Sequence, residues 1–599
     1  MFISENRKQN TILNRRTFFL YILKLLFFSG VSLRLYDIQI SKSKKYNTLS
    51  KNNQIDLEIL FPIRGEIFDR NNKLLATNKK VFDIYIVPEK TNSINSSLNL
   101  LAKFIKIDFI TRRKIIDLSK ITKKFQKIKV AENINWETLE KIEANKYNLP
   151  GIGIDEDYMR IYPLNEFFSH ILGYISKPNQ KELSLPFISN MPNLDIGKEG
   201  LEKSFNPSLV GKAGQREIEV NSNGRIIREI SRKNSIKGKN IKLTIDSRIQ
   251  VYSQNILKSH LAGSIVVMSV KTGEVLCITS TPSYDANKII QKPNIKYWES
   301  LLENNLSPLT FRAIQGLYAP GSTFKMIVAI AALKHGVINI NSNTLCKGKI
   351  EYGDRLYHCW KTKGHGSMNV IDGIKESCDV FFYELAKKLG IDKIAEVALD
   401  FGLGKKFDFL LENQKLGIIP NKKWKKEKIG ESWYAGETLI AGIGQGFVLA
   451  NPLQLATMIS IIASNGKQIR PSLIFKEDYN FKTSEKYTKE IKIVKKALFK
   501  VVNEYKGIAY KSRLENLSFS GKTGTSQVTK ISLSERESKD FRKKEIKWKN
   551  KDHALFVGYM PSKNPEYSIS VIIEHGGSGA STAAPIAKQV FNFINKLKV

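Results

Sequence analysis

Residues 319–336 read APGSTFKMIVAIAALKHG, a break followed by an apolar run that ends at a glycine. Pro320 and Gly321 interrupt whatever precedes them, and the run from Lys325 onward is expected to propagate as a buried helix stopping at Gly336. Ser322 then lies in the first helical turn, with Lys325 one turn on and on the same face. A serine hydroxyl is a poor nucleophile until a base takes its proton. A lysine amine can be that base where burial disfavours its charged form. Amides at a helix N-terminus add stabilisation for developing negative charge. The same residues also fit a helix-capping serine and a solvated lysine, and Ser-x-x-Lys alone does not choose between the two readings.

Two further motifs lie downstream. Ser377-Cys378-Asp379 follows Ser322 by 55 residues and opens another apolar helix, where by itself it reads as a cap. Lys522-Thr523-Gly524-Thr525 begins 145 residues further on among β-type residues. It reads as a strand whose glycine lets a ligand approach the backbone. Lys522 offers charge for a carboxylate, and Thr523 and Thr525 offer hydroxyls and amides. A second Lys-Thr-Gly at residues 271–273, in an expected hairpin turn, shows how little the tripeptide says alone. Ser-x-x-Lys, Ser-x-Asp and Lys-Thr-Gly in this order form the acyl-serine transferase constellation.

Hydropathy patterning around these motifs predicts an α/β (α+β) domain over residues 240–599. Ile241–Ile245 reads as a strand and Ser247–Leu261 as a helix. Residues 264–269 and 275–280 are β-branched runs joined by a glycine-containing turn, hence a hairpin. Residues 554–559 and 567–574 form another strand pair, and Ile586, Val590, Ile594 and Leu597 share one face of a closing helix. Strands at both ends imply that the terminal segments share one sheet. Ahead of it, residues 37–60 read as a polar helical stalk and 81–87 as a strand. Residues 98–145 read as a small helical lobe, Ile152–Ile154 and Arg216–Val220 as strands, and 232–239 as a linker.

Phe18–Leu35 is an apolar run of roughly membrane-spanning length, interrupted by Lys24 and Arg34. Arg7, Lys8, Arg15 and Arg16 precede it, so the positive-inside rule keeps residues 1–16 cytoplasmic and sends everything after Tyr36 outward. No small-residue cleavage site follows, which favours an uncleaved anchor at residues 17–36 over a signal peptide. The 599 residues carry 95 Lys and Arg against 57 Asp and Glu, a net +38 that invites nucleic acid. Export argues against that partner. The densest stretches, Lys422–Lys428 and Arg542–Lys551, read as exposed loops with no aromatic platform, so no nucleic-acid partner is expected.

With these motifs in hand the chain resembles the class B penicillin-binding proteins, closest to the elongation-specific penicillin-binding protein 2 group. The likeness extends to Arg64-Gly65-Glu66-Ile67-Phe68-Asp69-Arg70, Gly197-Lys198-Glu199-Gly200-Leu201-Glu202, Trp360, Gly364-His365-Gly366 and Gly442-Ile443-Gly444-Gln445-Gly446. It implies a transpeptidase fold with an antiparallel sheet between helices, at residues 240–599. It also implies an elongated non-catalytic pedestal at 37–235, with a head lobe at about 90–147, and one transmembrane helix in the inner membrane. The implied activity is a periplasmic D,D-transpeptidase that cross-links stem pentapeptides to acceptor strands and is acylated by β-lactams. Implied partners are a RodA-like SEDS glycan polymerase and elongation-complex proteins. In that family's mechanism Ser322 attacks the penultimate D-Ala carbonyl, Lys325 is the base, and Ser377 relays a proton. Lys522 and Thr523 receive the terminal carboxylate, Gly524 completes their motif among the site residues, and the Ser322 and Thr525 amides form the oxyanion hole. An amine of a second stem then resolves the acyl-enzyme. Asp379 stands where Asn is common, and could pair with Lys325 or with Lys522.

No cofactor is expected for the chemistry. Cys346, Cys359, His365 and Cys378 nevertheless form a Cys-x12-Cys-x5-His-x12-Cys set of the kind structural zinc uses, with His358 as an alternative imidazole. One disulfide with a spare thiol, or simple burial, also fits the spacing. The resemblance adds that some relatives hold zinc in this insert, with Asp replacing some of the Cys. Cys277, in an expected core strand, reads as inert. Rival functions are a serine β-lactamase using Glu384, a septal paralogue, and a scaffold that mainly activates the glycan polymerase.

Overall fold

The computed structural model describes residues 3–44, 55–121, 124, 126–182, 194–221, 226–290, 295–476, 479, 481, 485–529 and 547–597. Where the sequence suggested a single division near residues 235–240, the two compact units interleave along the chain. One comprises Met1–Ile63, Lys80–Met159 and Gly211–Lys237; the other comprises Arg64–Lys79, Arg160–Val210 and Gly238–Val599.

The first unit begins with helix α1, Ile3–Tyr36. The stretch Arg15–Ser41 is long and apolar enough to cross a membrane, and none of its residues is buried. The expected helical stalk is corrected at its end, because Ile55–Leu60 is a strand, while residues 45–54 lie outside the described residues. Ile55, Leu57 and Ile59 alternate with Asp56 and Glu58, a period of two rather than 3.6. Gly214–Val220 pairs antiparallel with this strand and with Ile226–Lys233, giving a three-stranded sheet. The head lobe is mixed rather than purely helical. Helices Ile94–Leu101, Phe109–Ile121 and Trp136–Ala144 surround strand Ile128–Ile134, which pairs with residues 82–86. Val130 joins Ile84, Leu98, Ile115 and Ile142 in the lobe's core, so the strand's alternation, not lysine-spaced helix, governs this segment.

In the second unit, helix α2 (Ser247–Leu257) is capped by Asp246, whose Oδ1 accepts from Arg248 N at 3.0 Å. Strands β1 (Gly263–Ser269) and β2 (Val275–Thr281) form the expected hairpin. After them come helices α3 (Lys325–Lys334), α4 (Val370–Lys375), α5 (Asp379–Leu389) and α6 (Pro452–Ala463). Strands β3 (Ser520–Ser526), β4 (His553–Met560) and β5 (Tyr567–Ile573) precede closing helix α7 (Ala584–Leu597). The sheet order is β2-β1-β5-β4-β3, all antiparallel, so early and late segments share one sheet as expected. Nearly every residue of these strands is buried, which requires helices over both faces. On α6, Ser460 Oγ meets Ser568 Oγ of β5 at 2.6 Å, and Tyr252 of α2 stacks on Phe593 of α7 at 3.9 Å.

The signature residues near position 64 join this unit. Glu202 is fully buried, accepting from Arg64 Nε at 2.6 Å and Arg160 Nε at 2.7 Å. Asp69 accepts from the amides of Asn71 and Lys73 at 2.7 and 2.8 Å and of Ser247 at 3.2 Å. The lysine-rich stretch Lys422–Lys428 is a helix, not the expected exposed loop. Lys425 is 1% exposed and pairs with Glu437 at 2.7 Å and Glu431 at 3.3 Å. Counting charge along the sequence missed it because both partners follow the run. Of the second basic stretch, residues 542–546 lie outside the described residues.

Candidate active site

The helix that decided the sequence reading is preceded by a 3-10 turn, Gly321–Thr323. Gly321 has φ +53°, and a Cβ there would stand 2.5 Å from the carbonyl oxygen of Thr525. Only glycine lets the serine turn lie this close to β3. The Gly321 amide donates to Gly444 O at 2.8 Å, and Gln445 Nε2 donates to Thr525 O at 2.9 Å. Residues 442–446 therefore clamp the turn to the strand. The helix start carries no side-chain cap, so Ser322 is not a capping serine. It is part-exposed and lines a cleft of about 880 Å³ together with Ser377, Asp379, Thr523 and Thr525.

Lys325 is 0% exposed, which removes the solvated-lysine reading. Its Nζ donates to Ser377 O at 2.9 Å, Ser377 Oγ at 3.3 Å and Asp379 Oδ1 at 2.7 Å. Ser377 joins α4 to α5 with φ +56°, a left-handed conformation that costs a non-glycine residue about 1–3 kcal/mol and persists only where its surroundings fix it. Those surroundings are the two lysines: Lys522 Nζ donates to Ser377 Oγ at 2.9 Å, opposite Lys325. The cap of α5 is the neighbouring Cys378, whose Sγ accepts from Phe381 N at 3.5 Å. Between its two candidate partners, Asp379 is paired with Lys325, and its other oxygen accepts from Trp360 N at 2.8 Å.

Lys522 is also wholly buried. Burial first, and the Lys325 charge second, pull its ammonium well below the usual lysine range, against Asp379, which raises it. A buried cation held this way is relieved when an anion binds beside it. Thr523, Gly524 and Thr525 continue along β3; a Cβ on Gly524 would meet Pro320 O at 2.9 Å.

All eight motif residues named from the sequence thus fall on this cleft or directly behind it. Two participants carried no chemical signal. Trp360 fixes Asp379 through its backbone amide and donates Nε1 to Glu376 O at 3.1 Å, and Gln445 holds Thr525. Both act on partners through backbone groups, which no motif spacing reveals.

Cys346, Cys359, His365 and Cys378 converge beside the site, with their ligand atoms within 4.8 Å of one another. His365 Nδ1 lies 3.6 Å from Cys346 Sγ and 3.5 Å from Cys359 Sγ, and none of the cysteines is in a disulfide. Cys277 stands apart, fully buried in β2 with its thiol pushed up to about 12 by desolvation.

Comparison with known proteins accords with this geometry. The penicillin-binding protein transpeptidase domain matches residues 263–592, and the penicillin-binding protein dimerisation domain matches 59–243. The chain is 32% identical to the peptidoglycan D,D-transpeptidase MrdA of Haemophilus influenzae, over 98% of this chain and 93% of the relative. Among solved structures it resembles the penicillin-binding protein PBP2 of Helicobacter pylori in complex with MreC (TM-score 0.80, 28% identity, 91% and 99% of the two chains). It also resembles a chain of a peptidoglycan synthase complex that coordinates polymerization and crosslinking (TM-score 0.72, 26% identity, 96% and 97% covered). With its serine turn, paired lysines and dimerisation domain, the chain belongs to the penicillin-binding protein transpeptidases, as a class B, MrdA-like member.

Proposed function

We propose that this enzyme cross-links peptidoglycan during cell elongation through an acyl-serine at Ser322, with Ser377 as the proton relay between two buried lysines. The observation that carries the assignment is the Ser377 hydroxyl, hydrogen-bonded to Lys522 at 2.9 Å and Lys325 at 3.3 Å in the same cleft as Ser322. A serine hydroxyl offers one proton and two lone pairs, so Ser377 can pass a proton either way. Lys325, with Ser377 and Asp379 around its Nζ, takes the Ser322 proton as the hydroxyl attacks, and that proton then passes through Ser377 to the departing D-Ala amine. The amides of Ser322 and Thr525 then face the oxyanion, each worth about 3–4 kcal/mol in comparable acyl transfer. Support for that role is the Thr525 amide nitrogen, 3.2 Å from where a Gly321 Cβ would stand. Lys522 and Thr523 hold the terminal carboxylate, and an amine of a second stem takes the acyl group.

Labelling with fluorescent penicillin, followed by mass spectrometry of the Ser322 peptide, tests this directly; an intact protein that takes no label would sink the enzymatic reading. The lowered Lys522 ammonium adds a pH signature. As pH rises through that lowered value the charge is lost, so the rate advantage of a penicillin over its carboxylate methyl ester should shrink well before pH 10.5. A ratio constant to pH 10 would remove Lys522 from carboxylate binding.

α1 is read as a single-pass inner-membrane anchor with residues 37–599 on the periplasmic side, from the cations that precede its apolar run. Residues 37–235 are read as the pedestal. An MreC-type partner is supported by the solved PBP2–MreC complex, and a glycan polymerase, taken as RodA-like from the family resemblance, by the synthase complex that joins polymerization to crosslinking.

A metal reading has its own observation. Three thiols and one imidazole within 4.8 Å fit a closed tetrahedral zinc site, held by Cys346, Cys359, His365 and Cys378. Zinc there would supply a structural cross-link and no acyl-transfer chemistry. Its ligands Cys359 and Cys378 adjoin Trp360 and Ser377, so the bridge would hold the Trp360–Asp379 contact in place. About one zinc per chain is expected, and chelation should lower both the melting temperature and the acylation rate. Purified protein without zinc that acylates at full rate would overturn this reading.

A further inference from the structure

The cleft is lined by three carboxylates, and they are not equivalent. Asp379 is committed to Lys325 and Trp360. Asp354 sits in the turn between the short strands Lys349–Tyr352 and Arg355–His358. Asp552 is half-buried just before β4, and its Oδ1 accepts from Val528 N at 3.2 Å, three residues beyond Thr525. Among the described residues it has no cation partner. Burial lifts its carboxyl above the ordinary aspartate range, and the Val528 amide only partly offsets this.

The sheet dictates what reaches Asp552. Among the described residues β3 is the last strand of its sheet and pairs with β4 alone, so an extended peptide can add along its other edge. With its terminal carboxylate at Lys522 and Thr523 and its reacting carbonyl at Ser322, such a peptide runs antiparallel to β3 and continues past Thr525 toward Gln527. At about 3.3 Å per residue, the site of attack and Val528 are separated by roughly 10 Å. A stem peptide supplies both an acyl donor and, in its partner copy, an amine; the donor therefore carries the same amine-bearing side chain one residue before its acyl D-Ala. From the reacting carbonyl, that residue and its extended side chain also span about 10 Å.

We propose that Asp552, with Gln527 beside it in the cleft, binds the side-chain ammonium of the donor stem's third residue and so selects donors that carry a free amine there. The inference rests on the acyl-serine reading above and deepens it. A carboxylate already partly stripped of water, with no cation partner among the described residues, is suited to a charged hydrogen-bond donor.

The test uses the full chain and two soluble donors: a stem pentapeptide ending in D-Ala-D-Ala with lysine as its third residue, and the same peptide with that lysine Nε-acetylated. The wild type should acylate from the free-amine donor with kcat/KM about tenfold higher, the scale of one charge-assisted hydrogen bond. In Asp552→Asn the ratio of the two donors should fall to about one, with melting temperature reporting that the variant is folded. Equal use of both donors by the wild type, or a preference that survives in Asp552→Asn, would overturn the proposal. The wild-type comparison decides even if the variant does not fold. Failure of the underlying reading looks different: neither donor nor penicillin would then form an adduct on Ser322.

Discussion

Ser322→Ala should abolish penicillin labelling and stem-peptide cross-linking together, a loss of about 10⁶-fold in kcat by analogy with nucleophile deletion in other serine acyl transferases. The change removes one oxygen from a part-exposed turn and disturbs no recorded cap, so the fold should survive. Lys325→Ala should cost nearly as much, because a serine without its base is again an ordinary alcohol. The double variant should be little worse than either single one, since groups that act as a unit are not additive. Rates of acylation measured by stopped-flow or quenched labelling, with thermal melts as a check of folding, settle both points. A Ser322→Ala protein that still bound penicillin covalently would transfer the nucleophile elsewhere, and additive losses would dissolve the proposed relay through Ser377. The same variant also separates catalysis from scaffolding: glycan polymerisation by a partner should continue while cross-linking stops.

The second large effect concerns stability. Glu202→Ala should destabilise the protein by about 3–5 kcal/mol, the usual result of leaving buried charges without their partner. Glu202 is fully buried between Arg64 and Arg160 and also accepts from Tyr162 OH at 3.3 Å. Arg160 further donates to Gly65 O at 2.8 Å, so the cluster ties residues 64–65, 160 and 202 into one knot. Removing the carboxylate strands two guanidiniums in a dry site. A drop in melting temperature on the order of 10 °C is expected, read by circular dichroism on the full chain in detergent. The pH dependence follows from the same pairing. Desolvation pushes the Glu202 carboxyl up, but the two guanidiniums outweigh it and hold it below the usual glutamate value of 4.5. Its contribution is therefore complete above about pH 4.5 and lost as pH falls through the lowered value. A melting temperature unchanged in Glu202→Ala would show that the knot is not structural.

Much of the catalytic centre was legible because its chemistry is carried by short motifs, each on an element that local patterning specifies. Pro320-Gly321 before an apolar run makes a turn and a helix, and short, nearly continuous apolar runs make β1, β2, β4 and β5. The stalk and head lobe were less legible. Ile55–Leu60 and Ile128–Ile134 are short strands whose pairing partners, Gly214–Val220 and residues 82–86, lie far along the chain, and isolated short segments do not show which period they will adopt. Lysine-rich surface residues added to the confusion by diluting the helical and strand patterns alike.

By itself, the sequence determined the serine turn, the order of the three motifs, the apolar N-terminal helix and the shared sheet of the second unit, because turn chemistry and hydrophobic period are local properties. Tertiary structure alone decided which lysine Asp379 would pair with, that Ser377 would adopt a left-handed conformation between the side chains of two lysines, and that three cysteines and His365 would converge. It also decided that Lys425 is buried while its neighbours are exposed, and that Asp552 reaches the cleft. Each of these depends on groups from 6 to 145 residues apart meeting at hydrogen-bonding distance or within a few ångströms of it. No local pattern encodes such a meeting; it is set when the sheet and its covering helices close a single core, and the polar groups inside must then find the partners that core allows.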